Sequence, residues 1–387
     1  MRRHEDSFQV ARSARLLTPK AVGAAILWDA VQNRQSLKAS PLSGTPLQAI
    51  PETPQAIYCE SSGSTGQAKL IRRLPNTWQA SFEINRQRFK IEPRDIYAVL
   101  GHLGHSLTLY AALEAMHIGC GLAFLTEMPP KQQAAALRQH RPNILYATPS
   151  QLALIVRADA GLFPDVSRIL VGGGKLPLQL RDLIRDRFPK AEVVEFFGAS
   201  ETSFITLTDD QTPSGSVGAP YPGVTLRIGA GVEPGTTGEI WVKSPYLFDG
   251  YAMGYSALTR WQDGFLSIGE MGKLDASGYL FLKGRKSRMV TVADQNVFPE
   301  AIEAVLLAEP EIEAAAVITP TDLLRGHFIV AAVVGNASTA KLRKLCRAKL
   351  GEAAVPRKIW HISHMPMLAA GKPDLQYLET LWQEEEG

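Results

Sequence analysis

Between residues 56 and about 200, short β-prone runs alternate with helical periodicity, and this alternation constrains the fold more than any other feature of the chain. A strand, a helix and a second strand in succession return the backbone to the same sheet, so repetition builds a parallel sheet covered by helices. Residues 56–59, 96–100, 121–125, 144–147, 168–171 and 193–197 read as strands, and 76–89, 107–118 and 178–188 as helices. From about residue 214 the pattern changes to short strands at 224–228, 238–242 and 279–282 separated by Gly/Pro turns. Beyond residue 285 a helix at 299–307, strands at 314–318 and 328–334, a helix at 339–350, a strand at 358–362 and a terminal helix form an α+β pattern. The expected fold is α/β. A large N-terminal domain, 1–286, carries β-sheets covered by helices and a β-rich subdomain at about 214–284, and a smaller α+β domain follows at 287–387.

A chain of 387 residues has enough buried area for two or three such domains. Its 41 Lys and Arg against 38 Asp and Glu leave a net charge of +3, with no basic block long enough to act as a nucleic-acid footprint. No stretch approaches the length of a membrane span, and the charged start Met1 to Asp6 is not followed by an apolar core of signal-peptide length. The expected location is the cytoplasm. Cys59, Cys120 and Cys346 are odd in number and far apart, which argues against a disulfide framework or a zinc site and for three reduced, buried thiols.

The run Glu60-Ser61-Ser62-Gly63-Ser64-Thr65-Gly66-Gln67-Ala68-Lys69 follows directly on a strand. Glycine lets backbone N–H groups approach an anion, Ser and Thr add donors, and a lysine supplies charge, so such a loop can surround phosphate oxygens. Its plain alternative is a flexible Ser/Gly turn between strand and helix. It is not the P-loop of nucleotide hydrolases, because Leu70 stands after Lys69 where that motif needs Ser or Thr for magnesium.

With five further motifs in order, the chain resembles the adenylate-forming superfamily of acyl- and aryl-CoA synthetases, peptide-synthetase adenylation domains and luciferases. Residues 61–69 resemble its phosphate loop, Gly172-Gly173-Gly174 its Gly-rich turn beside adenine, and Phe197-Gly198-Ala199-Ser200-Glu201 its aromatic-Gly-x-Thr-Glu motif with Ser for Thr. Ser267-Ile268-Gly269-Glu270 resembles its Thr-Gly-Asp, Gly284-Arg285 its Gly-Arg hinge, and Gly371-Lys372 its C-terminal Gly-Lys. The resemblance covers about residues 50–387 and implies a mobile C-terminal domain.

The resemblance implies ATP-dependent activation of a carboxylic acid to an acyl-adenylate, then transfer to CoA as a thioester. Joining two anions demands concentrated positive charge and fixed donors. Ser62, Gly63, Ser64, Thr65, Gly66 and Lys69 would hold phosphates, Gly172, Gly173 and Gly174 would lie beside adenine, Phe197 and Gly198 would contribute to binding ATP or AMP, and Ser200 would donate to the α-phosphate. Glu201 would hold Mg²⁺, a hard cation suited to carboxylate and phosphate oxygens. Glu270 would accept from the ribose hydroxyls, and Arg285 would reach ribose or phosphate as a cationic fork. Lys372 would bring a point charge to the carboxylate and α-phosphate, and His105, with His102 as the alternative by spacing, would stand beside the acyl pocket.

Besides Ser200, the chain departs from the family pattern in four places. Glu270 replaces an aspartate, Ser287 takes the hinge position usually held by Asp or Lys, and Asp294 falls near a glycine that faces the thiol acceptor. The phosphate loop also comes early, which suggests a reduced N-terminal subdomain and a homodimer that covers the exposed surface. The apolar segment 107–118 suits a fatty or aromatic acid better than an amino acid, subject to where Glu114 points. An acyl carrier protein is the alternative acceptor to CoA, and a non-catalytic nucleotide- or adenylate-binding regulator is the alternative to an enzyme.

Overall fold

The computed structural model describes residues 7–41, 44–62, 68–229, 233–292, 295–322, 326–368 and 373–386. The chain forms two compact units. The first comprises Met1–Arg227, Trp241–Ile268 and Asp275–Leu280; the second comprises Ile228–Ile240, Gly269–Leu274 and Phe281–Gly387. The division therefore does not follow a single cut in the sequence.

In the first unit, eight strands lie in the order Arg15–Leu16, Gly121–Phe124, Ile96–Val99, Ile144–Ala147, Arg168–Val171, Glu192–Ala199, Ser203–Leu207 and Ala219–Pro220. The first six run parallel. The last two return antiparallel. Alternate residues of the central strands serve two faces. Ala98, Leu145, Ile169 and Val171 pack on one side with Leu137, Leu152, Ile155 and Ile184 of the helices Pro130–His140, Pro149–Ala158 and Leu178–Arg187. Tyr97 and Tyr146 point to the other side, where they meet the helix Ser106–Ile118. Strand order reverses between Ile96–Val99 and Ile144–Ala147, and the crevice beyond the carboxyl ends at such a switch point is where open α/β sheets bind ligands.

A second sheet of this unit joins Gly250–Met253, Ala68–Arg73, Ile57–Ser62, Ser36–Ala39 and Leu47–Ile50 in that order. The phosphate loop therefore does not lead from a strand to a helix. Ser62 pairs with Ala68, so the strands on either side of it, Ile57–Ser62 and Ala68–Arg73, are antiparallel neighbours. The strand Ala68–Arg73 escapes a reading by hydrophobic alternation because its inward positions are Ile71 and a fully buried arginine, Arg73. Leu27, Leu37 and Leu47, which precede the first strand read from the sequence, are also fully buried.

In the second unit the strands Ile312–Ile318, Val330–Gly335 and Lys358–His361 form one sheet. The helices Pro299–Leu307 and Thr339–Leu350 bury Ile302, Leu306, Leu342 and Cys346 on one face. Helix Leu375–Glu386 covers the other face, with Trp382 edge-on to Trp360 at 5.5 Å. Cys59, Cys120 and Cys346 are all buried and unbridged.

Candidate active site

The turn between strands Glu192–Ala199 and Ser203–Leu207 carries the residues of most chemical interest. It is tight for identifiable reasons. A Cβ on Gly198 would lie 2.0 Å from the Ser203 carbonyl oxygen, so only glycine fits, and Ser203 takes a left-handed φ of 55°. Ala199 N–H donates to Thr202 Oγ1 at 3.0 Å, and Thr202 N–H donates to the Ala199 carbonyl at 3.1 Å. Ser200 and Glu201 are left at the tip. The pairing register shifts between Phe197 and Gly198, a bulge that re-aims the end of the strand.

Both tip residues are held by elements distant in sequence. The Ser200 hydroxyl bonds the hydroxyl of Ser106, the first residue of helix Ser106–Ile118. Tyr251 donates its phenolic proton to Glu201 Oε1 at 2.9 Å and is hydrogen-bonded to Thr259 at 2.9 Å. Burial, reinforced by the charge of Glu201, pushes the Tyr251 hydroxyl well above its ordinary range, so it remains a donor. Phe248 N–H donates to the Glu201 main-chain carbonyl at 2.8 Å. Lys69 Nζ lies 5.8 Å from the centroid of the Tyr251 ring, which brings the lysine of the phosphate-loop motif beside the partner of Glu201. Ser106, Tyr251 and Arg73 were not singled out from the sequence, because none stands in a motif with a chemical signature of its own.

Glycines 172–174 follow the parallel strand Arg168–Val171 at its carboxyl end. A Cβ on Gly172 would meet the Phe196 ring at 2.1 Å, so the glycine admits that ring, and Gly173 has a φ of 82°. A Cβ on Gly174 would meet nothing closer than Pro149 at 3.7 Å, which leaves an open cradle at the sheet end. His105 is the N-cap residue of Ser106–Ile118 but makes no side-chain cap bond. Its ring stands edge-on to His102 at 6.1 Å; His102 accepts from Gly104 N–H through Nδ1 at 3.1 Å, and its Nε2 lies 3.7 Å from Glu127.

Helix Ser106–Ile118, expected to line an acyl pocket, is largely packed into the interior. Residues Thr108 to Met116 are buried. Glu114 is fully enclosed and accepts from Asn85 at 2.8 Å, Tyr146 at 2.7 Å and Tyr97 at 3.1 Å, so it is committed to an internal polar network. Burial lifts its pKa to about 7, with these donors opposing the shift.

In the second unit, Glu270 and Arg285 meet each other: Arg285 Nε donates to Glu270 Oε1 at 3.1 Å. Both keep further hydrogen-bonding capacity on a carboxylate and a guanidinium. Gly284, at φ 149°, leaves room for Glu300, whose Oε1 accepts from Arg285 N–H at 3.3 Å. Gly63, Ser64, Thr65, Gly66, Asp294, Gly371 and Lys372 lie outside the described residues, as does the Ser62 side chain.

The donor set of the first unit fits a nucleotide with a divalent cation. Glu201 Oε2 carries no hydrogen bond among the described residues, which leaves a carboxylate oxygen for a hard cation, and the glycine turn provides a cradle that side chains would fill.

A doubly wound sheet with a glycine turn at the carboxyl end of one strand and an acidic hairpin tip beyond another is suited to binding a nucleotide. The family model "AMP-binding enzyme" matches residues 5–252 and "AMP-binding enzyme C-terminal domain" matches 301–372. The chain belongs to the AMP-binding enzyme family, and the match begins 45 residues before the point, about 50, from which the sequence resemblance was traced. It is 32% identical over 320 residues to the uncharacterized acyl-CoA ligase YhfT of Bacillus subtilis, covering 81% of this chain and 65% of that protein. It is 28% identical over 326 residues to 2-succinylbenzoate–CoA ligase of Enterococcus faecalis, covering 81% and 66%. O-succinylbenzoate coenzyme A synthetase of Bacillus subtilis, solved with ATP and magnesium ion, superposes with a TM-score of 0.74 at 25% identity, over 84% of this chain and 69% of that one. The chain thus spans about two thirds of the length of these relatives. Among the described residues, no helix is long and apolar enough to cross a membrane.

Proposed function

We propose that the protein activates a carboxylic acid with ATP and passes the acyl group to CoA. The observation that carries this reading is the Ser200–Glu201 tip, held against Ser106 and Tyr251 in a chain that matches the AMP-binding enzyme family. In the first half-reaction a carboxylate oxygen attacks the α-phosphorus of ATP, the bond to the β-phosphate oxygen breaks, and pyrophosphate leaves. In the second, the CoA thiol attacks the acyl carbonyl, AMP leaves with the bonding pair, and the thiol proton is lost to solvent.

Ser200 offers a hydroxyl donor and Lys69 a positive charge to phosphate oxygens. Gly172, Gly173 and Gly174 form the adenine side, Phe197 and Gly198 contribute to nucleotide binding, and Glu270 and Arg285 serve ribose and phosphate. Mg²⁺, held through Glu201, would supply charge compensation for the phosphates. Lys372 stabilises charge at the reacting carboxylate, and His105 stands on the acyl side. A mobile smaller domain beginning at 287 belongs to the same reading, although the compact unit that holds it also takes in Ile228–Ile240, Gly269–Leu274 and residues from Phe281.

A fatty or aromatic acid is favoured over an amino acid, because Glu114 already accepts from Asn85 and two tyrosines and is not available to grip an ammonium group. Location in the cytoplasm, where ATP and CoA are present, completes the proposal; a carrier-protein pantetheine is the other thiol to assay, and sedimentation tests for a homodimer. Hydroxylamine trapping across a panel of carboxylic acids, followed by addition of CoA, tests the whole scheme. Hydroxamate and thioester are the expected products, and ATP binding without turnover of any acid would leave a regulator in the enzyme's place.

A further inference from the structure

Arg73 is fully buried, yet no carboxylate among the described residues touches it. Its Nε and Nη2 both donate to the Ser200 carbonyl, the former at 2.9 Å, and Nη1 donates to the Tyr246 carbonyl. The guanidinium carbon lies 5.7 Å from the centroid of the Trp78 ring. A charge taken out of water costs several kcal/mol unless it is compensated, so a guanidinium spent on two main-chain oxygens marks those oxygens as worth fixing. Burial lowers its pKa to about 10, which still leaves it charged at neutral pH, with the negative charge of Glu201 among the influences that hold it up.

The two carbonyls it holds are the ones that frame the candidate site. Ser200 C=O belongs to the peptide that joins Ser200 to Glu201, and Tyr246 opens the segment that delivers Phe248 N–H and Tyr251 OH to Glu201. In a trans peptide the C=O and N–H point in opposite directions. Anchoring the Ser200 oxygen on Arg73 therefore turns the Glu201 N–H away from the buried guanidinium, and that N–H has no hydrogen-bond partner among the described residues.

Resting on the acyl-adenylate reading, we propose that Arg73 is a positioning residue: it locks the Ser200–Glu201 peptide so that the Glu201 N–H and carboxylate face the anionic substrate together. The guanidinium also polarises the peptide it binds, which strengthens the opposite N–H as a donor to a phosphate oxygen. Arg73 acts through this peptide and touches no reacting atom.

The test uses the full-length Arg73→Met and Arg73→Lys variants, with hydrogen exchange read by mass spectrometry and pyrophosphate release read in the presence of hydroxylamine. Exchange should rise about tenfold or more in the peptides covering 198–203 and 246–251 and stay at wild-type rates in the Leu178–Arg187 and Arg168–Val171 segments. The kcat for pyrophosphate release should fall about a hundredfold in Arg73→Met with the KM for the acid changed less than threefold, and Arg73→Lys, which keeps one charged donor, should recover about tenfold of that loss. Wild-type kcat in Arg73→Met, or unchanged exchange at 198–203, overturns the proposal. So does exchange raised evenly across the chain, which would make Arg73 a stabiliser of the fold and nothing more. If the wild type releases no pyrophosphate with any acid, the acyl-adenylate reading fails by itself; AMP affinity by calorimetry then decides, with weakening in Arg73→Met alongside local exchange supporting the positioning role and equal affinity overturning it.

Discussion

Arg73 in the first unit and Arg285 in the second place the same guanidinium in opposite settings. Arg73 is sealed from solvent and all three of its bonding nitrogens are spent on main-chain oxygens. Arg285 is about half exposed, with one side-chain bond, to Glu270. A buried, saturated arginine organises backbone, whereas an exposed, under-used one keeps donors for something that arrives later. The same contrast separates the carboxylates: Glu114 is enclosed by tyrosines and spoken for, while Glu201 has one oxygen bonded and one available among the described residues. The difference teaches that the proposed site residues are set apart from the structural ones by unspent bonding capacity more than by charge.

This contrast can be broken at several points. The largest effect is expected at Glu201, where Glu201→Ala should lower adenylate formation by a hundredfold or more while the far-ultraviolet spectrum stays that of the wild type; pyrophosphate release at saturating Mg²⁺ measures it, and wild-type turnover would remove Glu201 from the metal-holding role. Lys372→Ala should cost about a hundredfold in the same assay with nucleotide affinity nearly intact, because the charge proposed for the reacting carboxylate would be realised in the transition state.

Glu114 sharpens the buried side of the comparison through pH. Its folded pKa of about 7 lies above the ordinary 4.5, so the folded protein holds this proton more tightly than the unfolded chain. Its contribution to stability is therefore greatest below about pH 4.5, declines as pH rises toward 7 and is constant above that. The span is roughly 3 kcal/mol. Urea unfolding at pH 5 and pH 8 should show that slope in the wild type and a flatter one in Glu114→Gln; identical slopes would mean that the carboxyl does not titrate in this range. The smallest effect is expected at Arg285, where Arg285→Ala should raise the KM for ATP about tenfold and change folding stability by no more than about 0.5 kcal/mol. A large loss of stability there would end the distinction drawn between the two arginines.

Much of this architecture is legible in the chain. The parallel strands read at 144–147 and 168–171 and the helices at 299–307 and 339–350 match the structure residue for residue, since strong periodicity and buried apolar runs leave few alternatives. The strand Ala68–Arg73 was not legible, because its inward-facing Arg73 violates the rule that buried positions are apolar, and only Ser200 and Tyr246, more than a hundred residues away, satisfy it. The helix Ser106–Ile118 was legible as a helix but not in its use, since its apolar composition suits a pocket wall and a packed core equally well.

The sequence by itself determined the family, through ordered motifs whose residue types have few other uses: a Ser/Gly/Thr loop ending in Lys69, a glycine run at 172–174 and an acidic turn at Glu201. It determined the alternating strand–helix order as well, because hydrophobic periodicity is a local property of the chain. The tertiary structure alone decided which side chains hold that acidic turn. Ser106, Tyr251, Phe248 and Arg73 reach it from three separate stretches of sequence, and hydrogen bonds formed across such separations leave no periodic or spacing signal for a linear reading to find.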